Sequence, residues 1–167
     1  NELETFYAAN PEGWHMRFTA GTAPVTYEVT LNADDRVVSM ESVPRGQSDV
    51  FRIGKNGRTV AGAVSLAPGQ SKEMIIRAVA RETHMDIKVT ADVEFVASVG
   101  SSAAISGNEA NLVLDASGEG VESQPAPPEA AMASVAVWYV LQKEEGAAAR
   151  DLSQDEVNQL EALGYLQ

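Results

Sequence analysis

The chain has 167 residues, enough for one domain with its own hydrophobic core. Its 24 acidic and 12 basic side chains give a formal net charge of -12, and the basic residues are scattered singly, which argues against binding to nucleic acid or anionic lipid. The absence of cysteine excludes a disulfide framework, a thiolate metal site and a cysteine nucleophile, and no apolar stretch approaches the length of a membrane span.

Apolar and polar residues alternate along several stretches, and each such stretch is predicted to form a half-buried strand. The predicted inward-facing residues are Trp14, Met16 and Phe18; Val25, Tyr27, Val29 and Leu31; Ile87, Val89, Ala91, Val93 and Phe95; and Val135, Val137, Tyr139 and Leu141. Asn56-Gly57 predicts a two-residue hairpin, since both residues tolerate positive φ. Residues 71–81 are predicted to form a strand, although their apolar spacing also suits a helix.

Turn signals separate about eight or nine predicted strands at short, regular intervals. This pattern favours an antiparallel β-sandwich, with a small barrel as the alternative. Residues 117–131 are rich in proline, glycine and acidic residues and are predicted to form an extended loop within a sandwich domain of residues 1–141. Residues 142–167 are predicted to be a linker and a short C-terminal α-helix.

The end of the chain carries a complete helix signal. Ser153 and Glu156 form a capping box, Leu152 can pack on Val157, and Gly164 suits a left-handed helix end. About ten residues are too few for a helix that is stable alone in water, so its apolar stripe is expected to dock on the sandwich or on a partner. The candidate docking residues are Val157, Leu160, Leu163, Tyr165 and Leu166.

This tail also resembles the C-terminal signature of many bacterial sulfatases of the alkaline-phosphatase superfamily. The matching residues are Leu152, Leu160, Leu163, Gly164, Tyr165 and Leu166. The resemblance covers about a tenth of the chain and implies that the sandwich corresponds to a C-terminal region of such enzymes.

The resemblance does not extend to the catalytic machinery of those sulfatases, which use a Cys or Ser in a C/S-x-P-x-R motif beside a calcium ion held by Asp and Asn. The nearest string here is Ser42-Val43-Pro44-Arg45, where the arginine comes one residue too early. No catalytic residue is therefore carried over.

No other pattern predicts a catalytic, metal or cofactor site. His15 and His84 lie on the polar side or at the start of a strand and are predicted to be ordinary surface residues, and no G-x-S-x-G elbow is present. The oxygen-rich stretches 32–35 and 115–120 could suit calcium, but their spacing does not match an EF-hand and turn chemistry explains both.

Four aromatic residues could form a sugar-stacking platform, but aromatics in alternating strands are more typical of a core. They are Trp14, Tyr27, Trp138 and Tyr139. Exposed coplanar tryptophans would favour the sugar-binding interpretation.

Three hypotheses follow. The first is a non-catalytic accessory subunit, exported to the periplasm or cell surface, that binds protein partners in a larger complex; association of that complex with a membrane is compatible with this hypothesis. The second is the C-terminal domain of a sulfatase-like hydrolase, and the third is a carbohydrate-binding module. The chain starts at Asn1 without methionine, so a removed leader or a longer parent chain is compatible with all three.

Overall fold

A computed structural model of the chain describes residues 12–43, 51–126 and 129–141. Within these ranges the fold consists of nine strands and contains no helix, which confirms the mainly-β prediction. The strands are β1 (Gly13–Thr19), β2 (Val25–Ala33), β3 (Val37–Val43), β4 (Arg52–Ile53), β5 (Thr59–Leu66), β6 (Ser71–Ala78), β7 (Met85–Val99), β8 (Ile105–Leu114) and β9 (Ala133–Val140). The predicted helix and its docking residues lie outside the described residues, as does the Pro44-Arg45 part of the sulfatase-like string.

All nine strands belong to one sheet, which curls until it is nearly a barrel. The order is β3-β6-β1-β9-β7-β2-β5-β4, and β8 pairs with β7 in addition. The first half of β7 pairs with β2 and its second half pairs with β9. One side of β7 pairs with β8 along both halves. The other side therefore pairs first with β2 and then, further along, with β9. One continuous strand therefore joins what would be the two separate sheets of a sandwich.

The prediction that all strands are antiparallel is wrong at one pair. β9 runs parallel to β7, with Phe95–Val99 opposite Ala133–Val137. A parallel neighbour requires a long connection between the two strands, and β8 together with residues 115–132 supplies it here.

The inward faces predicted from alternation form the core. In β1, β2 and β9 every predicted inward residue within the strand is at most 5% exposed, whereas Leu141 lies just beyond β9 and is only partly buried against the core. In β7, Ile87, Val89 and Phe95 are buried, whereas Ala91 and Val93 are only partly buried. These two residues lie where the pairing of β7 with β8 is irregular, between Thr90 and Phe95, so the alternation continues there but its inward side chains are less fully covered.

Tyr27 joins the two halves of the curled sheet. Its ring packs on Phe18 of β1 and Phe95 of β7, at centroid distances of 5.3 and 5.5 Å. Its hydroxyl donates to the carbonyl of Thr19 at 2.7 Å and lies 3.2 Å from the carbonyl of Ser134 in β9. The side chain is fully buried, so these carbonyls satisfy a polar group that has no access to water.

Residues 54–58, which include Asn56-Gly57, connect β4 to β5, so the prediction of a two-residue hairpin is wrong; only Gly57 has positive φ, at 73°. The Asn56 side chain instead accepts a hydrogen bond from the Arg58 backbone at 2.9 Å. This side-chain bond to the backbone two residues later is an Asx-turn contact, which stabilises the loop without positive φ at Asn56. Residues 71–78 form β6, a strand, and not the helix that their spacing also allowed.

The loop that follows β8 is bonded to the sheet in its described part. Val121 accepts a hydrogen bond from the Tyr139 backbone at 2.8 Å, and Gly120 accepts one from Ser101 at 3.1 Å. The Asp115 carboxylate accepts bonds from the backbone and the hydroxyl of Ser117, and these bonds lower its pKa. These bonds place residues 115–121 beside the ends of β7 and β9.

Candidate functional site

The outward face of β1 and its neighbours carries a second buried layer. Residues 14, 16 and 18 of β1 enter the core, so His15 and Arg17 point to the opposite side of the sheet. Pairing places His15 between Ile75 of β6 and Trp138 of β9.

In the next outward row, Arg17 lies between Glu73 of β6 and Ala136 of β9. We call His15, Arg17, Ile75, Ala136 and Trp138 the outer layer.

Four of the five outer-layer residues are buried although they do not belong to the core, and Arg17 is partly buried. Ile75, Ala136 and Trp138 are 4%, 4% and 5% exposed, yet none of them is part of the core cluster. His15 is 8% exposed. A sheet face turned to water normally carries polar, exposed residues, so this degree of burial marks a face that is covered.

A hydrogen bond between His15 and Glu73 and several aromatic contacts organise the outer layer. The Nδ1 atom of His15 lies 2.8 Å from Oε1 of Glu73, and its ring is 5.6 Å from that of Trp138. The guanidinium carbon of Arg17 is 5.4 Å from the centroid of the same indole, which is a cation–π contact. The Nη2 atom of Arg17 is buried and has no hydrogen-bond partner among the described residues. This cluster can hold a covering group by apolar contact and by one further hydrogen bond.

The prediction that His15 is an ordinary surface residue is wrong. Alternation assigned it correctly to the polar side of β1, but pairing with β9 brings the Trp138 indole against it. His84 is partly exposed, and its Nε2 atom lies 3.5 Å from Asp86 Oδ1. The two histidines lie on different strands and serve different local contacts.

The oxygen-rich stretches behave as turns. Asp34 accepts a hydrogen bond from the His84 backbone at 2.9 Å, and its own backbone donates to the His84 carbonyl at 3.0 Å. Asp34 thereby connects the turn after β2 to the start of β7, while Asn32 and Ala33 of this stretch belong to β2 itself. Among the described residues, no group of three or more His, Cys, Asp or Glu side chains is placed to bind a metal ion.

The two tryptophans do not form an exposed platform. Trp14 is 2% exposed and meets Tyr139 edge to face at 5.2 Å, while Trp138 lies on the opposite side of the sheet. The carbohydrate-binding hypothesis therefore lacks the pair of exposed, coplanar rings that would favour it.

A cleft of about 240 Å³ opens at the end of β1, β6 and β9. Its lining includes Glu12, Arg81, Thr83 and Tyr139. Arg81 lies 5.7 Å from the centroid of the Tyr139 ring and 3.7 Å from Glu122, so its charge is already balanced. The Thr83 hydroxyl oxygen is buried and has no hydrogen-bond partner among the described residues. These groups do not by themselves select a ligand.

Two buried tyrosines predict a loss of stability at alkaline pH. Burial raises the pKa of Tyr27 well above its ordinary value, and burial together with the negative charge of Glu12 raises the pKa of Tyr139 to about 12. In the unfolded chain both phenols ionise near pH 10, so the unfolded state binds fewer protons above that pH. The two tyrosines make their full contribution to the free energy of unfolding below pH 10. We expect this free energy to fall by about 1.4 kcal/mol per tyrosine per pH unit as the pH rises toward 12.

Urea unfolding at a series of pH values between 8 and 11 measures this loss. Tyr27→Phe should remove the contribution of Tyr27 and flatten the dependence, and Tyr139→Phe should remove the other part. An unchanged dependence in both variants would contradict the assignment to these phenols.

The comparisons with known proteins returned nothing: no protein family, no curated protein and no solved structure matches this chain. The described part of the chain also contains no helix that is long and apolar enough to cross a membrane.

Sequence reasoning missed the outer layer, but β9 carried a signal for it. Seven successive residues, Ala133–Tyr139, are buried, and the sequence ASVAVWY is apolar or small throughout. A strand exposed on one face alternates, whereas a strand covered on both faces is apolar on both. That unbroken run predicts cover on the outward side of β9.

Proposed function

We propose that this chain is a non-catalytic, exported accessory subunit that acts through protein–protein contacts, and that the free edge of β8 is the contact site. An extended segment of a partner would add to this edge as a further strand. Backbone hydrogen bonds would supply the affinity, and apolar side chains on β8 would supply additional contact area.

The exposure of β8 supports this proposal. Among the described residues β8 pairs with β7 alone, and it is ten residues long. Its side chains at Ile105 and Val113 are 46% and 55% exposed. Long edges with exposed apolar residues are uncommon in isolated domains, because they invite pairing with other chains.

The usual protections of a sheet edge are sparse on β8. Its sequence ISGNEANLVL contains no proline and no basic residue, and its only charge, Glu109, lies 3.4 Å from Lys88 on the neighbouring strand. β4, at one end of the strand order, is only two residues long, and β3, at the other end, has an irregular register between Val37 and Ser39. Short and bulged strands are both means of blunting an edge. The pairing of β8 with β7 is itself irregular opposite residues 91–94, but Glu109–Leu114 form a regular run that is longer than β4. This half of β8, which contains Val113, is therefore the edge best suited to accept a partner.

Substitution of Val113 tests this contact. We expect Val113→Lys to weaken the complex at least about tenfold, because a desolvated lysine opposes strand addition. Val38→Lys is the matched control, since Val38 on β3 is 61% exposed and the same charge is added away from β8. Both variants should unfold within about 0.5 kcal/mol of the wild type, because exposed positions tolerate substitution.

The measurement is native mass spectrometry of each variant after gentle isolation from its source. Wild type and Val38→Lys should occur in an assembly heavier than one chain, and Val113→Lys should occur mainly as a single chain. A wild-type chain that is always single, or a Val113→Lys variant that keeps its assembly, would reject the proposal.

A second candidate is the C-terminal domain of a sulfatase-like hydrolase, in which the partner is a catalytic domain encoded in the same chain. The resemblance of residues 152–166 to the sulfatase tail supports it. This candidate requires a C/S-x-P-x-R motif upstream in the same reading frame. A native coding region without that motif would eliminate it.

A further inference from the structure

None of the described strands shields the outer layer from solvent. All nine strands lie within the one sheet, so none of them crosses the outward face of β1 and β9. The loop at 123–126 reaches one end of this face, where it shares a cavity of about 380 Å³ with Arg17 and Ala136. Neither Trp138 nor Ile75 lines that cavity.

We propose that residues 151–167 of this same chain dock on the outer layer. The helix predicted from Ser153 would lay its stripe of Val157, Leu160 and Leu163 across Trp138 and Ile75. This inference does not rest on the proposed function, which concerns the edge of β8.

The position of residues 151–167 in the chain favours their docking on the outer layer. β9 ends at Val140, two residues after Trp138, and residues 142–167 follow directly. The nine residues 142–150 can span up to about 30 Å, so they can return the chain to the outward face. A docked segment of the same chain also has a much higher effective concentration than a separate partner.

The dimensions of the helix and the face agree. A helix over residues 153–163 would be about 16 Å long. The four strands β3, β6, β1 and β9 are consecutive in the sheet, and at about 4.8 Å between neighbours they span about 14 Å. One face of such a short helix can therefore cover the apolar centre of the outer layer.

Arg17 offers the segment a hydrogen-bond donor. Residues 151–167 contain four acidic side chains and no basic one. The outward face carries Arg17 and Arg77 beside Glu41 and Glu73, so its charges are balanced, and polar attraction of the segment depends on the single donor of Arg17. The buried Nη2 atom of Arg17 can donate to a carboxylate or a carbonyl of the segment.

Paramagnetic labelling of the whole chain tests the docking. The chain has no cysteine, so Asn158→Cys provides a single site for a nitroxide label on the polar side of the predicted helix. We expect the label to broaden the amide signals of His15 and Ile75 and the indole signal of Trp138, and to leave the amide of Val113 sharp. A label at Val113→Cys is the matched control and should leave the outer-layer signals sharp.

Isotope mixing separates docking within one chain from docking between two copies. When nitroxide-labelled chains without nitrogen-15 are mixed with nitrogen-15 chains that carry no nitroxide, docking within one chain leaves all signals sharp. Broadening in that mixture, or no broadening of outer-layer signals in the directly labelled chain, would overturn the proposal.

A fluorescence experiment provides a second measurement. In a Trp14→Phe background, Trp138 is the only tryptophan, and its quenching by acrylamide reports its cover. Leu160→Asp should shift the docked segment roughly tenfold toward the open state and raise the quenching, because it places a charge in an apolar contact. Asn158→Asp adds the same charge on the polar side and should leave quenching unchanged. Equal quenching in the two variants would also overturn the proposal.

Discussion

Tyr27→Ala is expected to lower the free energy of unfolding by about 4 kcal/mol, which is the usual cost of deleting a buried aromatic ring. The ring is fully buried between Phe18 and Phe95, so its removal leaves a cavity where the two halves of the curled sheet meet. Urea unfolding followed by circular dichroism measures the loss.

Tyr27→Phe separates the hydroxyl from the ring. It keeps the aromatic contacts but removes the hydrogen bond to the Thr19 carbonyl, at an expected cost of about 1 to 3 kcal/mol. A Phe variant that costs as much as the Ala variant would show that the hydroxyl, and not the ring, stabilises the junction. Two nearly neutral variants would contradict the assignment of Tyr27 to this junction.

Gly100→Ala is expected to destabilise the protein by about 2 to 4 kcal/mol, combining backbone strain with overpacking. Gly100 has a φ of 52°, and its backbone donates to the Val137 carbonyl at 2.6 Å. A Cβ atom there would clash with the Gly120 carbonyl and lie 2.7 Å from the Cα atom of Val121. The substitution should therefore loosen the loop that residues 115–121 form beside β7 and β9.

Gly69→Ala is the matched control for this substitution. Gly69 also has positive φ, at 74°, but a Cβ atom at this position would have open space around it, with no neighbouring atom within 4 Å. Its replacement should cost only about 1 kcal/mol, because the conformational strain remains while the crowding is absent. Hydrogen exchange should show faster opening at the Tyr139 amide in Gly100→Ala only, and equal effects of the two variants would refute the crowding argument.

The local sequence pattern was sufficient to predict most of the strands and most of the residues that form the core. Alternation with a period of two placed Trp14, Met16 and Phe18 inside, because successive side chains of a strand point to opposite faces wherever the strand lies. Alternation could not show that His15 is buried. Its burial depends on Trp138, which is more than a hundred residues away in the chain and lies beside His15 only because β1 pairs with β9.

The predicted sandwich differs from the observed sheet at β7. Its fifteen residues read as one strand, and they form one strand. Sequence does not show that its two halves have different neighbours, because a strand carries the same free backbone groups for any partner. The parallel pairing with β9 has the same origin, since strand direction follows from how the long connection after β8 is routed.

The sequence by itself determined where the strands lie, which faces enter the core and where several of the turns form. These are local properties set by alternation, backbone preferences and glycine. The tertiary structure alone decided the strand order, the single curled sheet, the exposed edge of β8 and the second buried layer around Trp138. Each of those depends on contacts between residues far apart in the chain, for which neighbouring residues carry little signal.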